Sequence, residues 1–162
     1  MFTSDGGGHA LKLPDCKVTF SSGGIVYKTK LWGLLRNPDK KVFICTYSLP
    51  DIKYIFDTLD FRGSGKNVFI FCNSKFRDQA EAIKIGFPDI KIFLTPRMHA
   101  KMILIEPETV WLSSQNFGNS HWCEFALGTH SRELYDTLLS SLKFVMTNKT
   151  SIYADGDVVE RL

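Results

Sequence analysis

Three short, almost unbroken apolar runs constrain the fold of this chain more than any other feature. They are Val42–Tyr47 (VFICTY), Val68–Cys72 (VFIFC) and Ile90–Leu94 (IKIFL). A strand that is apolar at successive positions presents apolar side chains to both faces of its sheet, so both faces have to be covered. The stretches between the runs supply the cover. Pro50 suits the first turn of a helix, and Ile52, Ile55, Phe56 and Leu59 follow at i, i+3, i+4 and i+7. Ser74 is placed to cap a second helix running to about Ile85, with Gly86 at C′ and Pro88 just beyond. Strand–helix–strand–helix–strand of this kind predicts parallel strands with helical crossovers.

The flanking regions read differently. Cys16–Phe20 is expected as a first strand, and Gly24–Arg36 as a helix that stops before Asn37-Pro38. From Met98 onward the pattern gives Met102–Ile105, a short turn, Val110–Ser113, then Phe125–Gly128. A last helix starts near Ser131, with Leu134, Leu138, Leu142 and Val145 inward. The expected class is α/β, with a mixed, largely parallel sheet flanked by helices on both faces. The 162 residues read as a single domain with loose termini at about 1–12 and 150–162. Arg62–Lys66 (RGSGK) tempts a phosphate-loop reading but lacks the first glycine and the hydroxyl residue after the lysine, so it is read as a turn.

Composition narrows the function classes. With 44% hydrophobic and 23% charged residues the chain can bury a core and is not of the disordered type. Its longest apolar runs are far too short to cross a bilayer. The start MFTSDGGGHALK has neither the basic opening nor the apolar stretch of a secretory signal, so a cytoplasmic location and no membrane partner are expected. The four cysteines form no CxxC. Cys45 and Cys72 sit inside apolar runs, which predicts buried free thiols and no zinc site. The net charge of +3 permits nucleic acid as a partner without demanding it.

The chemistry-bearing stretch is His99–Glu124, HAKMILIEPETVWLSSQNFGNSHWCE. His99 and Lys101 are two apart and share a strand face, continued by Ile103 and Ile105. A symmetric hairpin about Pro107-Glu108 would set Ile103 against Leu112, Lys101 against Ser114 and His99 against Asn116. Imidazole, ammonium, hydroxyl and carboxamide would then meet at its open end. Lys101, Asn116 and Ser114 donate to phosphate oxygens, and His99 can attack phosphorus or carry a proton. No Asp/Glu cluster accompanies them in the sequence, so phosphoryl transfer without a metal is the expected chemistry, with no cofactor. A lone histidine in a strand is usually structural; the spaced Lys, Ser and Asn reverse that for His99. His9, His121 and His130 lack such company and are assigned to tail, surface or packing.

His99, Lys101, Glu106, Ser113, Ser114 and Asn116 fit H-x-K-x4-[D/E]-x6-[G/S]-S-x-N, which resembles the HKD motif of the phospholipase D superfamily. The order KVFICTYSLPD, NVFIFCN, IKIFLTPRMHAKMILIE is similar to that of its small single-motif bacterial nucleases, over roughly Cys16 to Thr147. The resemblance implies that His99 is a nucleophile forming a phosphohistidine. It also implies that Lys101 and Asn116 hold the phosphate with Ser114 in support, and that Glu124 hydrogen-bonds the histidine. Glu106 and Ser113 stand where the motif has Asp and Gly, as supporting positions. One motif per chain implies a homodimer with a shared site. Arg97 and Trp122 are candidate substrate contacts, by charge and by stacking. The function expected from this is metal-independent hydrolysis of nucleic-acid phosphodiesters, DNA or RNA. The alternatives are a phospholipid phosphodiesterase or transferase, and a catalytically weak nucleic-acid-binding protein of the same fold.

Overall fold

The computed structural model describes residues 13, 15–22, 33, 39–63, 65–119, 122–147 and 152–153. In chain order the elements are β1 (Lys17–Ser22), β2 (Val42–Cys45), α1 (Ile52–Arg62), β3 (Val68–Asn73), a 3-10 turn (Ser74–Phe76), α2 (Arg77–Gly86), β4 (Lys91–Thr95), β5 (Met102–Ile105), β6 (Thr109–Ser113), β7 (Cys123–His130), α3 (Arg132–Thr147) and β8 (Ile152–Tyr153). The eight described strands form one mixed sheet in the order β1-β7-β6-β5-β2-β3-β4-β8.

The three apolar runs become the adjacent parallel strands β2, β3 and β4. Their order in space follows their order in sequence, so both crossover helices lie on one face of the sheet. Alternation along the strands sorts the core by shape. Val42, Ile44, Val68, Ile70, Cys72, Ile92, Leu94, Ile103 and Ile105 meet Tyr54, Ile55 and Leu59 of α1 and Ala80 and Ile83 of α2. On the opposite face Phe43, Phe69, Phe71, Phe93, Met102 and Leu104 meet Tyr135 and Leu142 of α3. There the rings pair across strands, Phe43 on Phe69 at 4.8 Å and Phe71 on Phe93 at 4.9 Å between centroids.

The parallel part is narrower than the sequence suggests. Two neighbouring pairs are parallel, and the contacts β1–β7, β7–β6, β6–β5, β5–β2 and β4–β8 are antiparallel. For β5–β6 and β6–β7 the physical reason is connection length, since these links are too short for a crossover and return the chain antiparallel.

Local boundaries shift for identifiable reasons. Asp51 caps α1 by accepting from the Tyr54 N–H at 2.9 Å, leaving Pro50 outside the helix. Asn73, not Ser74, opens the next segment by accepting from Lys75 N–H at 3.1 Å, and a 3-10 turn precedes α2. Gly86 is the last helical residue and not the residue beyond it. A Cβ there would lie 2.6 Å from the Phe56 ring, so the position is small because α1 packs against it. Of the RGSGK segment, Arg62 ends α1 and Gly63, in the left-handed region at φ 79°, turns the chain and donates to the Asp60 carbonyl at 2.9 Å. The expected helix over residues 24–36, of which Gly33 alone is described, lies outside the described residues with residues 1–12, which include His9, and with His121 and the Val145 side chain. Of the stretch 150–162 expected as loose, Ile152–Tyr153 are described and pair with β4 as β8.

All four cysteines are free thiols, Cys45 and Cys72 buried, Cys16 and Cys123 exposed. Burial pushes the Cys72 thiol up to about 12 and the Cys45 thiol up as well. Since the thiolate is the nucleophile, neither buried sulfur reacts at neutral or mildly alkaline pH. The expected result is labelling of two thiols per chain by a disulfide reagent at pH 8 in the native protein and of all four in denaturant. Native labelling of Cys45 or Cys72, read by peptide mass, would contradict the packing of β2 and β3.

Candidate active site

The site collects at the carboxyl ends of the parallel strands. Beyond β2 the chain continues as Thr46-Tyr47-Ser48, and the Thr46 N–H extends the ladder by one step to the Phe71 carbonyl at 2.9 Å. The fully buried Thr46 hydroxyl has a single proton, which goes to the Ser48 carbonyl at 2.8 Å, while its oxygen accepts from Phe117 N–H at 2.9 Å. At the end of β3 the buried Asn73 amide donates to the Pro96 carbonyl at 3.0 Å and the Met98 carbonyl at 3.3 Å. That fixes the turn that leads from β4 to His99. Met98, 6% exposed, anchors this turn in the core, and the exposed Arg97 and His99 flank it.

The hairpin register differs from the expected one by a residue. Ile103 faces Trp111 and Ile105 faces Thr109, and the Ser113 N–H bonds the Lys101 carbonyl at 3.0 Å. The cause lies in β2. The Glu106 N–H is held by the Lys41 carbonyl at 3.0 Å, so Glu106 extends the β2–β5 ladder and the turn takes three residues, Glu106–Glu108. Trp111 therefore lies on the Ile103/Ile105 face, packed against the core on the α1/α2 side, while Val110 and Leu112 point toward α3.

With that register Ser114 and Asn116 reach the site by a bend and not by strand alternation. The Ser113 hydroxyl accepts from Gln115 N–H at 2.9 Å and turns the chain, and the buried Gln115 amide donates to the Gly118 carbonyl at 2.7 Å. A Cβ on Gly118 would lie 2.9 Å from the Pro50 ring, so the loop lies close against the start of α1. The bend aims Asn116 Oδ1 at the backbone of the 46–48 segment, where it accepts from Tyr47 N–H at 3.1 Å and Ser48 N–H at 3.3 Å. Two backbone donors on one oxygen settle the amide orientation, with Nδ2 directed the other way.

His99 and Lys101 come to the same place from the segment just ahead of β5, which begins only at Met102, so neither lies on a strand face as the sequence suggested. The His99 ring lies 5.1 Å from the Tyr47 ring, tilted by 52°. Lys101 Nζ is 5.8 Å over the Tyr47 ring and donates to the His99 carbonyl at 2.9 Å. Ser114 forms a second cluster: its hydroxyl donates to the Glu124 carboxylate and accepts from Phe125 N–H at 3.0 Å. Glu124 thus bonds Ser114, where the resemblance implied the histidine.

Of the nine residues singled out in the sequence, His99, Lys101 and Asn116 meet at Tyr47, and Ser114 pairs with Glu124 two residues from Asn116. Ser113 shapes the bend. Glu106 is not brought in. Five extended residues, about 16 Å, separate it from Lys101, and its carboxylate accepts from Lys41 N–H at 3.4 Å. Trp122, 80% exposed, stands immediately before β7. Sequence reasoning missed Tyr47, Thr46 and Asn73. The signal was available, since polar residues directly following buried parallel strands lie where ligands bind in α/β sheets.

No family model and no curated protein matches the sequence. Solved structures do match its fold. NucT from Helicobacter pylori is 17% identical with a TM-score of 0.59, over 86% of this chain and 99% of that one. Nuc from Salmonella typhimurium, a phospholipase D family member, is 15% identical with a TM-score of 0.62, over 86% and 98%. The chain has a phospholipase D-like fold. Phosphatidylserine synthase from Haemophilus influenzae Rd KW20 is 14% identical with a TM-score of 0.65, over 90% of this chain and 42% of that one. Among the described residues no helix is long and apolar enough to cross a membrane.

The Asn116 linkage yields a paired test in this phospholipase D-like chain. Asn116→Ala removes the acceptor of two backbone N–H groups and is expected to cost about 1–3 kcal/mol in denaturant unfolding. Asn116→Asp keeps an acceptor there and should recover most of that loss. Equal stability of the alanine variant and wild type would remove the linkage.

Proposed function

We propose that the protein is a metal-independent phosphodiesterase that hydrolyses nucleic-acid backbones through a phosphohistidine, in an active site shared by two copies of the chain. The observation that carries this is the convergence of His99, Lys101 and Asn116 on Tyr47 at the carboxyl ends of the parallel strands.

In the first step a ring nitrogen of His99 attacks phosphorus and the P–O bond to the leaving strand breaks. The His99 of the second copy supplies the proton that the leaving oxygen takes up. That second imidazole, now neutral, removes a proton from water; the hydroxide attacks phosphorus, the P–N bond breaks, and His99 is restored. Lys101 Nζ and Asn116 Nδ2 donate to the non-bridging oxygens, whose charge grows in the transition state. Ser114, oriented by Glu124 and Phe125, supports that group. Arg97 and Trp122 are assigned to the bound strand, by charge and by stacking, and the setting is cytoplasmic.

The choice of nucleic acid rests on the resemblance to small single-motif nucleases and on the neighbours Nuc and NucT, which the chain spans almost end to end. A phospholipid reading is favoured by one observation, the match to phosphatidylserine synthase. Cleavage of single- and double-stranded DNA and RNA in excess EDTA separates the two. Wild type is expected to cut at least one of them in EDTA, and His99→Ala to lose about 10⁴-fold or more. Light scattering should give a dimer for both proteins. Equal cutting by the variant would sink the histidine mechanism. Failure to cut any nucleic acid, combined with phosphatidyl transfer on vesicles, would move the substrate to lipid.

A further inference from the structure

We infer that Tyr47 is the positioning residue of this site, its ring holding the nucleophilic imidazole and the phosphate-binding ammonium in register with Asn116. The inference rests on the phosphodiesterase reading above and adds to it a residue that the motif does not contain. Tyr47 is half-buried and touches three groups to which that reading gives a role. Its ring centroid is 5.1 Å from that of His99 and 5.8 Å from Lys101 Nζ, and its N–H donates to Asn116 Oδ1 at 3.1 Å.

Tyr47 itself is held from the sheet. Its carbonyl accepts from Asn73 N–H at 3.2 Å, at the end of β3. Phe76, in the turn that follows β3, packs edge-on against its ring at 5.5 Å. The backbone is therefore tied on one side to β3 and on the other to the bend after β6, and the ring is braced by Phe76.

The ring does two things for the proposed chemistry. An ammonium within about 6 Å of a phenol face is attracted by the ring quadrupole. Lys101, whose Nζ also donates to the His99 carbonyl at 2.9 Å, is thereby held more firmly near the place where phosphate oxygens would sit. A surface against the imidazole limits its rotation, which matters because misplacing a reacting group by 1 Å can cost about 100-fold in rate. Both effects need an aromatic ring and neither needs the hydroxyl. Tyr47→Phe and Tyr47→Leu therefore separate ring from bulk.

The experiment has two readouts. In the ligand-free protein, the His99 imidazole carbon-bound proton signals, identified by their loss in His99→Gln, report the ring directly. They should move in Tyr47→Leu and stay near their wild-type position in Tyr47→Phe. In nucleic-acid cleavage, Tyr47→Leu should lose about 10- to 100-fold in kcat with KM changed by less, and Tyr47→Phe should recover to within about threefold of wild type. Wild-type kcat in Tyr47→Leu, or a phenylalanine variant as slow as the leucine one, overturns the positioning role. Cleavage by wild type with His99 signals indifferent to Tyr47→Leu overturns it as well. If wild type cuts nothing while the signals still follow the ring, the phosphodiesterase reading fails, the catalytic role of Tyr47 falls with it, and the ring contact alone survives.

Discussion

The site depends on one oxygen. Asn116 Oδ1 takes the N–H groups of Tyr47 and Ser48, two donors that leave β2 with no strand to pair with. A backbone N–H left unmet in a half-buried setting costs about 1–3 kcal/mol, so the carboxamide is the structural end of β2 as well as the last residue of the H-x-K…S-x-N pattern. It also joins parts of the chain about 70 residues apart, the bend after β6 and the loop after β2. Remove it and Thr46, Tyr47 and Phe117 lose a common reference, and with them goes the surface against which His99 and Lys101 rest.

The sheet explains why this happens at β2. That strand is parallel to β3 on one side and antiparallel to β5 on the other, a change of pairing that β4 repeats between β3 and β8. Parallel neighbours bring the ends of β2, β3 and β4 to one edge, with Thr46, Asn73 and Thr95 as their first polar side chains. The antiparallel neighbour brings the start of β5, and with it His99 and Lys101 just ahead of that strand, to the same edge. The carboxyl ends of parallel strands are where α/β sheets bind ligands. Here the change of pairing at β2 also brings together residues next to both kinds of strand.

Much of the fold was legible because burial on both faces leaves a strong trace. Val42–Cys45, Val68–Asn73 and Lys91–Thr95 could hardly be anything but central strands, and Leu134, Leu138 and Leu142 mark the side of α3 that meets the sheet. The candidate site's residues could be named from the sequence too, since His99, Lys101, Ser114 and Asn116 carry their spacing in the chain, and the structure brings His99, Lys101 and Asn116 to Tyr47. What was not legible is what a third element decides. The register slipped by one because Glu106 pairs with Lys41 of a distant segment, and no local turn rule contains that bond. Glu124 bonds Ser114 because β6 and β7 lie side by side, which a ten-residue separation in sequence does not announce. Tyr47 was overlooked because it stands at the end of an apolar run and reads there as one more core residue.

The register also changes how the two departures from the motif should be weighed. The observed register sets Ser113, and not Ser114, opposite Lys101. The Ser113 hydroxyl is spent on the Gln115 N–H and builds the bend that aims Ser114 and Asn116. Glycine at that position would leave the bend without this bond, so the serine adds a local fastening where the motif has none. Glu106 lies at the far end of β5, and its carboxylate meets the Lys41 N–H ahead of β2. Its extra methylene, relative to aspartate, is accommodated at a strand end and not beside His99, Lys101 and Asn116. Both departures thus fall on residues that hold β5 and β6 in place relative to β2. Their effect on the proposed chemistry is transmitted through the position of Asn116 and Lys101, by way of the same linkage to Tyr47 that orders the rest of the site.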